Sequence, residues 1–296
     1  TVALMSAVSE AASTVAASLP NGRIVVGSRE FHSNLFPWMN LERRGFEIVQ
    51  VPDRDGVVST DALANELDER VVLLAVSEVQ SSNGYRVDIR PLADRCRQVG
   101  ARLFVNLTQA LGALRFDAEA IGADFVVAHG YKWLVGPRGA AWMHVREDRL
   151  AELQPLMPNW HAIPEPYADY YGGPFELAPG ARKLDTSISW FPWVGARAAL
   201  ELISSLDREA VERRALELAR AFREGARERG LTLVAEEVPS QTVAVLVDDP
   251  ERVTAALKRR NVVGAVRAGS LRLGFHGFNT DEDVETALRV LDEAAD

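Results

Sequence analysis

Short apolar runs alternate with helix-spaced stretches along the first half of the chain. Val2–Met5, Ile24–Gly27, Phe46–Val51, Val71–Val76, Leu103–Asn106, Phe125–Ala128 and Ala140–Val145 are mostly apolar and of buried-strand length. Helical spacing covers Ser9–Leu19, Thr60–Leu67 and Leu92–Val99, the last ending at Gly100. Gly136-Pro137-Arg138-Gly139 marks a turn between the last two strands. Continuous apolar strands alternating with helices predict an α/β fold, its mostly parallel sheet covered on both faces.

The texture changes after about residue 155. Met157–Arg182 is rich in Pro, Gly, Tyr and Trp and has no periodicity; loops of that length commonly carry function. Trp193–Ser204 and Arg208–Arg229 read as helices with dense charge on one face. The tail reads strand Leu231–Val234, strand Thr242–Val247, helix Glu251–Arg260, strand Val262–Arg267, strand Leu271–Phe275 and helix Asp281–Ala295. The expected organisation is a large domain over 1–195, linking helices over 196–230 and a small α+β domain over 231–296. The chain opens at Thr1 inside a strand-like run, without the charged start and cleavage pattern of a leader. The expectation is that an N-terminal part of the large domain is missing.

Composition narrows the class. The 296 residues are 47% apolar and 25% charged, which excludes a disordered or collagen-like chain. No apolar run approaches the roughly 18 residues of a membrane span. A net charge of −9 argues against nucleic acid or an anionic membrane as partner. Cys96 is the single cysteine, so an internal disulfide and a cysteine-built metal cluster are excluded, and a cytoplasmic location is the default. The five histidines are scattered without ligand spacing, so no metal is expected. Neither a dinucleotide glycine motif, nor a phosphate-binding P-loop, nor a serine nucleophile elbow is present.

Five segments carry candidate chemistry. His129-Gly130-Tyr131-Lys132-Trp133-Leu134 follows a buried strand. Desolvation of Lys132 there lowers its pKa and favours the neutral amine that carbonyl chemistry needs; a snorkelling strand-end lysine fits the same pattern. Asn106-Leu107-Thr108-Gln109 leaves the carboxyl end of a strand, where open α/β sheets bind ligands. In Glu30-Phe31-His32-Ser33-Asn34, His32 suits ring stacking or proton transfer, or equally a capping role. Ser6-Ala7-Val8-Ser9 is a strand-to-helix junction whose N–H groups can hold an anion, although serine is routine at helix starts. Arg267 and Arg272 can clamp a carboxylate or face solvent.

Together these segments resemble the class V aminotransferase family, pyridoxal-phosphate (PLP) enzymes of fold type I that include cysteine desulfurases and isopenicillin N epimerase-like proteins. The resemblance runs from Val2 to about Leu291. It implies that Lys132 forms the Schiff base with PLP and that His32 stacks on its ring. It implies that Ala7, Val8, Ser9 and His129 hold the phosphate, beside Tyr131, and that Gln109 meets the pyridoxal hydroxyl. Asn106 then faces the pyridine nitrogen, and Arg272, with Arg267 nearby, holds the substrate carboxylate. Thr186 and Ser187 lie where a neighbouring subunit reaches the phosphate, so a homodimer with shared sites is expected. The loop Trp160–Tyr171 is expected to cover the site.

Two departures set the expected reaction. The family normally has Asp where this chain has Asn106; an amide cannot ion-pair with a pyridinium, which weakens the electron sink used for transamination. No cysteine lies near Arg267, where desulfurases carry their nucleophile, and Cys96 reads as a helix-face residue. The expected activity is therefore a PLP-dependent Cβ–S lyase acting on an amino acid such as a cysteine conjugate. An aminotransferase, an epimerase and a non-catalytic scaffold of the same fold are the alternatives.

Overall fold

The computed structural model describes every residue except 169, 188, 236, 237, 268 and 296. Elements follow in the order β1 (Val2–Met5), α1 (Val8–Ser18), β2 (Arg23–Gly27), α2 (Phe36–Met39), β3 (Glu47–Val51), α3 (Thr60–Asn65), β4 (Val71–Ser77), α4 (Ile89–Val99), β5 (Arg102–Asn106) and α5 (Ala118–Ile121). Then come β6 (Phe125–His129), β7 (Ala141–Val145), α6 (Trp190–Ser205), α7 (Arg208–Glu228), β8 (Thr242–Leu246), α8 (Pro250–Arg259), β9 (Ala265–Arg267), β10 (Ser270–Gly274) and α9 (Asp281–Ala295).

The large sheet has strand order β1-β7-β6-β5-β4-β2-β3. Strands β6, β5, β4, β2 and β3 run parallel, and β7 is antiparallel to both β6 and β1. Side chains alternate between faces with period two. Ile24, Val26, Leu73, Phe104 and Phe125 enter one core, beneath α1 and Trp38. Val25, Leu74, Val76, Leu103 and Val105 enter the other, beneath α4. Both faces are thus covered, as the continuous apolar strands require.

A second sheet, β8-β10-β9, is antiparallel. It shares a third core with α7, α8 and α9, built on Phe222, Val245, Leu271, Phe275 and Val290. Helix α7, expected to be a linker, supplies Leu218, Ala219, Phe222 and Ala226 to that core.

Other boundaries depart from the sequence reading for local reasons. Helix α4 begins at Ile89 rather than Leu92, because Asp88 caps it by accepting the Arg90 N–H and Pro91 sits in the first turn, where its missing N–H costs nothing. The expected strand Leu231–Val234 makes a single bridge, Leu233 to Val245. The strand expected at Val262 starts at Ala265, because Asn261 has φ of 53° and the Val262 N–H closes α8 on Leu257. Helix α1 starts at Val8 after Ala7, so Ser9 lies in the first turn and is not the cap.

Candidate active site

The carboxyl ends of β4, β5 and β6 meet at one pocket, lined by Ser77, Asn106, Thr108, Gln109, His129, Tyr131 and Lys132, with Val8, Phe31, Ser33 and Ser81 around them. Strand pairing sets Ser77 beside Asn106. Lys132 projects from a tight loop after β6. Gly130 N–H bonds Ala140 O at 2.9 Å, and Gly136 N–H returns to Gly130 O at 2.8 Å. Gly112 packs against that loop; a Cβ there would lie 2.3 Å from Trp133 O, and its φ is 111°.

The Lys132 Nζ lies 5.9 Å from the Phe31 ring centre and 6.0 Å from that of Tyr131. No carboxylate pairs with it among the described residues. Burial, then the charges of Arg272, Arg138 and Arg267, lower its pKa to about 8. His129 Nε2 accepts the Val8 N–H at 3.2 Å, so this nitrogen carries no proton. Burial, with Lys132 and Arg138 nearby, pushes its pKa down to about 4. Its Nδ1 is buried without a partner. The N–H groups of Ala7 and Ser9 make no hydrogen bond among the described residues, leaving the start of α1 open to an anion.

Gln109 is held by three segments. Its Nε2 donates to Ser81 Oγ at 2.9 Å, its Oε1 accepts from Trp133 Nε1 at 3.3 Å, and its carbonyl accepts from Gln241 Nε2. Arg272, reaching across from β10, donates to the Ser81 carbonyl and pairs with no carboxylate among the described residues. Phe31 and Ser81 line both this pocket and an adjoining cleft of about 690 Å³ that Arg267 and Arg272 also line. The chain so brings Lys132, His129, Asn106, Gln109, Tyr131 and Val8 together, with Arg267 and Arg272 next door.

Two expectations are corrected. His32 does not face Lys132: it is exposed, stacks on Phe36 at 4.1 Å, and lines only the cleft. Phe31 takes the pocket position instead. The buried Glu30 carboxylate fixes this phase by accepting from Ser77 N and Ser77 Oγ, each at 2.6 Å, so the next residue turns inward. Thr186 and Ser187, expected at a neighbouring subunit's phosphate rather than their own, lie outside this pocket; Thr186 N–H bonds Leu4 O, and Ser187 accepts from Trp160. None of the described residues of the loop Trp160–Tyr171 lines the pocket or the cleft: Trp160 packs on Tyr167 and Tyr170.

Sequence reasoning passed over Ser77, Ser81 and Gln241, and gave no role of their own to Phe31, Ser33 and Thr108 within the segments it singled out. Ser81 and Ser82 sit in a Gln-Ser-Ser-Asn-Gly run directly after β4, which is the signal that marks them.

A buried lysine at the carboxyl edge of a mostly parallel sheet, beside an open helix N-terminus, is the arrangement of an α/β protein suited to carbonyl chemistry. The model of the family Aminotransferase class-V matches residues 2–287, and the chain belongs to that family, a PLP-dependent enzyme class. A probable cysteine desulfurase of Methanothermobacter thermautotrophicus is 25% identical over 97% of this chain and 77% of its own. Isopenicillin N epimerase of Streptomyces clavuligerus is 26% identical over 98% of this chain and 79% of its own. Among solved structures, the cystine C-S lyase C-DES with its product cysteine persulfide has a TM-score of 0.88 at 20% identity, covering 99% of this chain and 82% of that one. Its likeness places the fold among the PLP fold type I proteins.

Proposed function

We propose that the chain is a PLP-dependent Cβ–S lyase acting on a cysteine-derived amino acid, and that Lys132 is its catalytic lysine. The observation that carries this reading is a buried Lys132 in a pocket lined by no carboxylate, its pKa lowered by burial and nearby arginines to about 8, adjoining a cleft where Arg267 and Arg272 pair with no carboxylate among the described residues.

The residues fit PLP on their own chemistry. Lys132 offers a neutral amine to an aldehyde. The Ala7 and Ser9 N–H groups at the start of α1 suit a phosphate, with His129 packed against the neighbouring Val8 N–H. Phe31 and Tyr131 offer flat apolar faces to an aromatic ring. Asn106 and Gln109 offer neutral polar groups to its edge. When bound, PLP supplies an electron sink for charge developing at the substrate Cα. Arg272 holds the substrate carboxylate, with Arg267 beside it. With the cofactor and substrate bound, the Lys132 amine would take the Cα proton. The rigid loop around Gly130 and Gly136 keeps that amine on one side of the pocket.

The thiol supply separates a direct lyase from a desulfurase. Cys96 is buried in the core under α4, with its pKa pushed up to about 12 by burial, and is the chain's single cysteine. Cys96 therefore offers no thiolate to take up sulfur, which favours departure of sulfur directly as thiol, water completing the release of pyruvate and ammonia. We further propose a homodimer: Trp190, Phe191 and Val194 at the start of α6 are 79%, 92% and 72% exposed, an apolar face suited to a second copy.

The test is the absorption spectrum of the purified protein before and after borohydride, with Lys132→Ala alongside, followed by product analysis with cysteine conjugates. A borohydride-sensitive visible band absent from the variant, and release of pyruvate with thiol, are expected. Turnover that needs a keto acid would instead establish an aminotransferase, and solvent deuterium at Cα without net product an epimerase. A protein that takes up no PLP would sink the reading in favour of a scaffold.

A further inference from the structure

Asn106 is the last residue of β5 and forms part of the pocket's buried floor. The chain fixes its amide orientation. Thr108 N–H donates to Asn106 Oδ1 at 3.0 Å. A backbone N–H can only donate, so the oxygen must face it, and Nδ2 is the end left free. That Nδ2 makes no hydrogen bond among the described residues, although Asn106 is only 7% exposed.

Its neighbours on the floor are neutral as well. Ser77 Oγ is committed to Glu30, and Thr108 Oγ1 accepts the His129 N–H at 3.2 Å. None of the pocket-lining residues is a carboxylic acid. The pyridine nitrogen of PLP is para to the carbon that bears its aldehyde. A ring whose aldehyde meets Lys132 therefore directs its nitrogen away from that lysine, toward a floor that offers hydrogen-bond donors and no acid.

We propose that this floor holds the pyridine nitrogen of PLP unprotonated, as the acceptor of a hydrogen bond from Asn106 Nδ2. The inference rests on the PLP reading above and deepens it. A carboxylate at this point would stabilise a pyridinium by its charge; an amide donor instead occupies the nitrogen lone pair and keeps the ring neutral. A neutral ring is a poorer sink for charge at the substrate Cα. A β-sulfur substrate has another outlet. Its Cα–H bond yields the proton to Lys132, the electron pair of that bond becomes the Cα–Cβ π bond, and the Cβ–S pair departs with sulfur as thiolate. Amino transfer lacks that outlet, since the charge must travel through the ring and be protonated beyond it. The floor thereby selects substrates with a β-leaving group.

Nitrogen-15 NMR of the protein loaded with PLP labelled at the ring nitrogen reads the protonation state without turnover. The wild-type resonance is expected in the unprotonated pyridine range across about pH 7 to 8, and that of Asn106→Asp in the pyridinium range. The single-turnover conversion of bound cofactor to its amino form by an amino acid is expected to speed up about tenfold or more in Asn106→Asp, one pKa unit of ring stabilisation being a factor of ten. A pyridinium resonance in the wild type overturns the inference while leaving the PLP reading standing. Failure to bind PLP at all overturns both. The wild-type spectrum decides alone if the variant does not fold.

Discussion

Uptake of PLP by the cofactor-free protein is expected to depend steeply on pH, with a midpoint near 8. The reacting species is the neutral Lys132 amine. Burial removes water from its ammonium, and Arg272, Arg138 and Arg267 add repulsion, which together bring its pKa from 10.5 to about 8. At pH 7 a lysine of pKa about 8 is neutral in roughly one molecule in eleven, against roughly one in three thousand at its ordinary value, an advantage of about 300-fold. The sign follows from the base: protonation is lost as pH rises through about 8, so uptake climbs tenfold per pH unit below that value and levels off above it. Stopped-flow absorbance on mixing with PLP, at constant ionic strength, gives the rate constant at each pH. Arg272→Gln removes the largest of the three charge contributions and is expected to move the midpoint upward; Arg138→Gln moves it the same way by less. Uptake that keeps climbing tenfold per unit beyond about pH 9.5 would refute the desolvated-lysine reasoning. A midpoint unmoved by either arginine change would refute the electrostatic share of it.

Cys96→Ala is expected to leave lyase turnover within about twofold of the parent while costing about 1 kcal/mol in urea unfolding, because the residue fills core space and its thiol is held protonated; loss of turnover would restore a sulfur-transfer role. Phe31→Ala should weaken PLP binding about tenfold by fluorescence titration, and His32→Ala less than about twofold, since only the first faces Lys132; the reverse order would reinstate His32 as the ring platform. Gly84→Ala should cost about 1–3 kcal/mol in urea unfolding and raise KM for the amino acid, as its φ is 79° and a Cβ would lie 2.6 Å from Thr242 O; unchanged stability would show that this contact yields freely.

The large sheet was readable because its strands are buried on both faces. Ile24 to Val26, Leu73 to Val76 and Leu103 to Val105 need no knowledge of their partners to read as strands, since either face meets a core. The C-terminal unit was less readable. Leu231–Val234 has strand composition but bridges to β8 only at Leu233, and composition does not report how far a ladder extends. Helix α7 looked like a linker because its charged face dominates the pattern, yet Leu218 and Phe222 on its other face are fully buried.

The site shows a sharper division between what residue order carries and what it cannot. Lys132, Asn106 and Gln109 could each be placed from a single strand and its end, because Asn106 closes β5, Gln109 follows it and Lys132 follows β6, all at the carboxyl edge of the sheet. The choice between Phe31 and His32 could not, because it depends on Glu30 bonding Ser77, 47 residues away. Gln241 was invisible for the same reason: its amide reaches the Gln109 carbonyl across 132 residues. These long-range bonds also explain how the two sheets act on one pocket. Gln241 holds Gln109, Arg272 holds Ser81, and His276 Nε2 meets Trp133 O at 2.9 Å while stacking on the Trp133 ring. Each links the small sheet to a loop bearing a pocket residue. A carboxylate drawn to Arg272 competes with the Ser81 carbonyl for the guanidinium, and Ser81 Oγ is in turn the acceptor of the Gln109 amide. On the proposed reading, a substrate carboxylate at Arg272 would bear on the polar edge of the Lys132 pocket through Ser81 and Gln109.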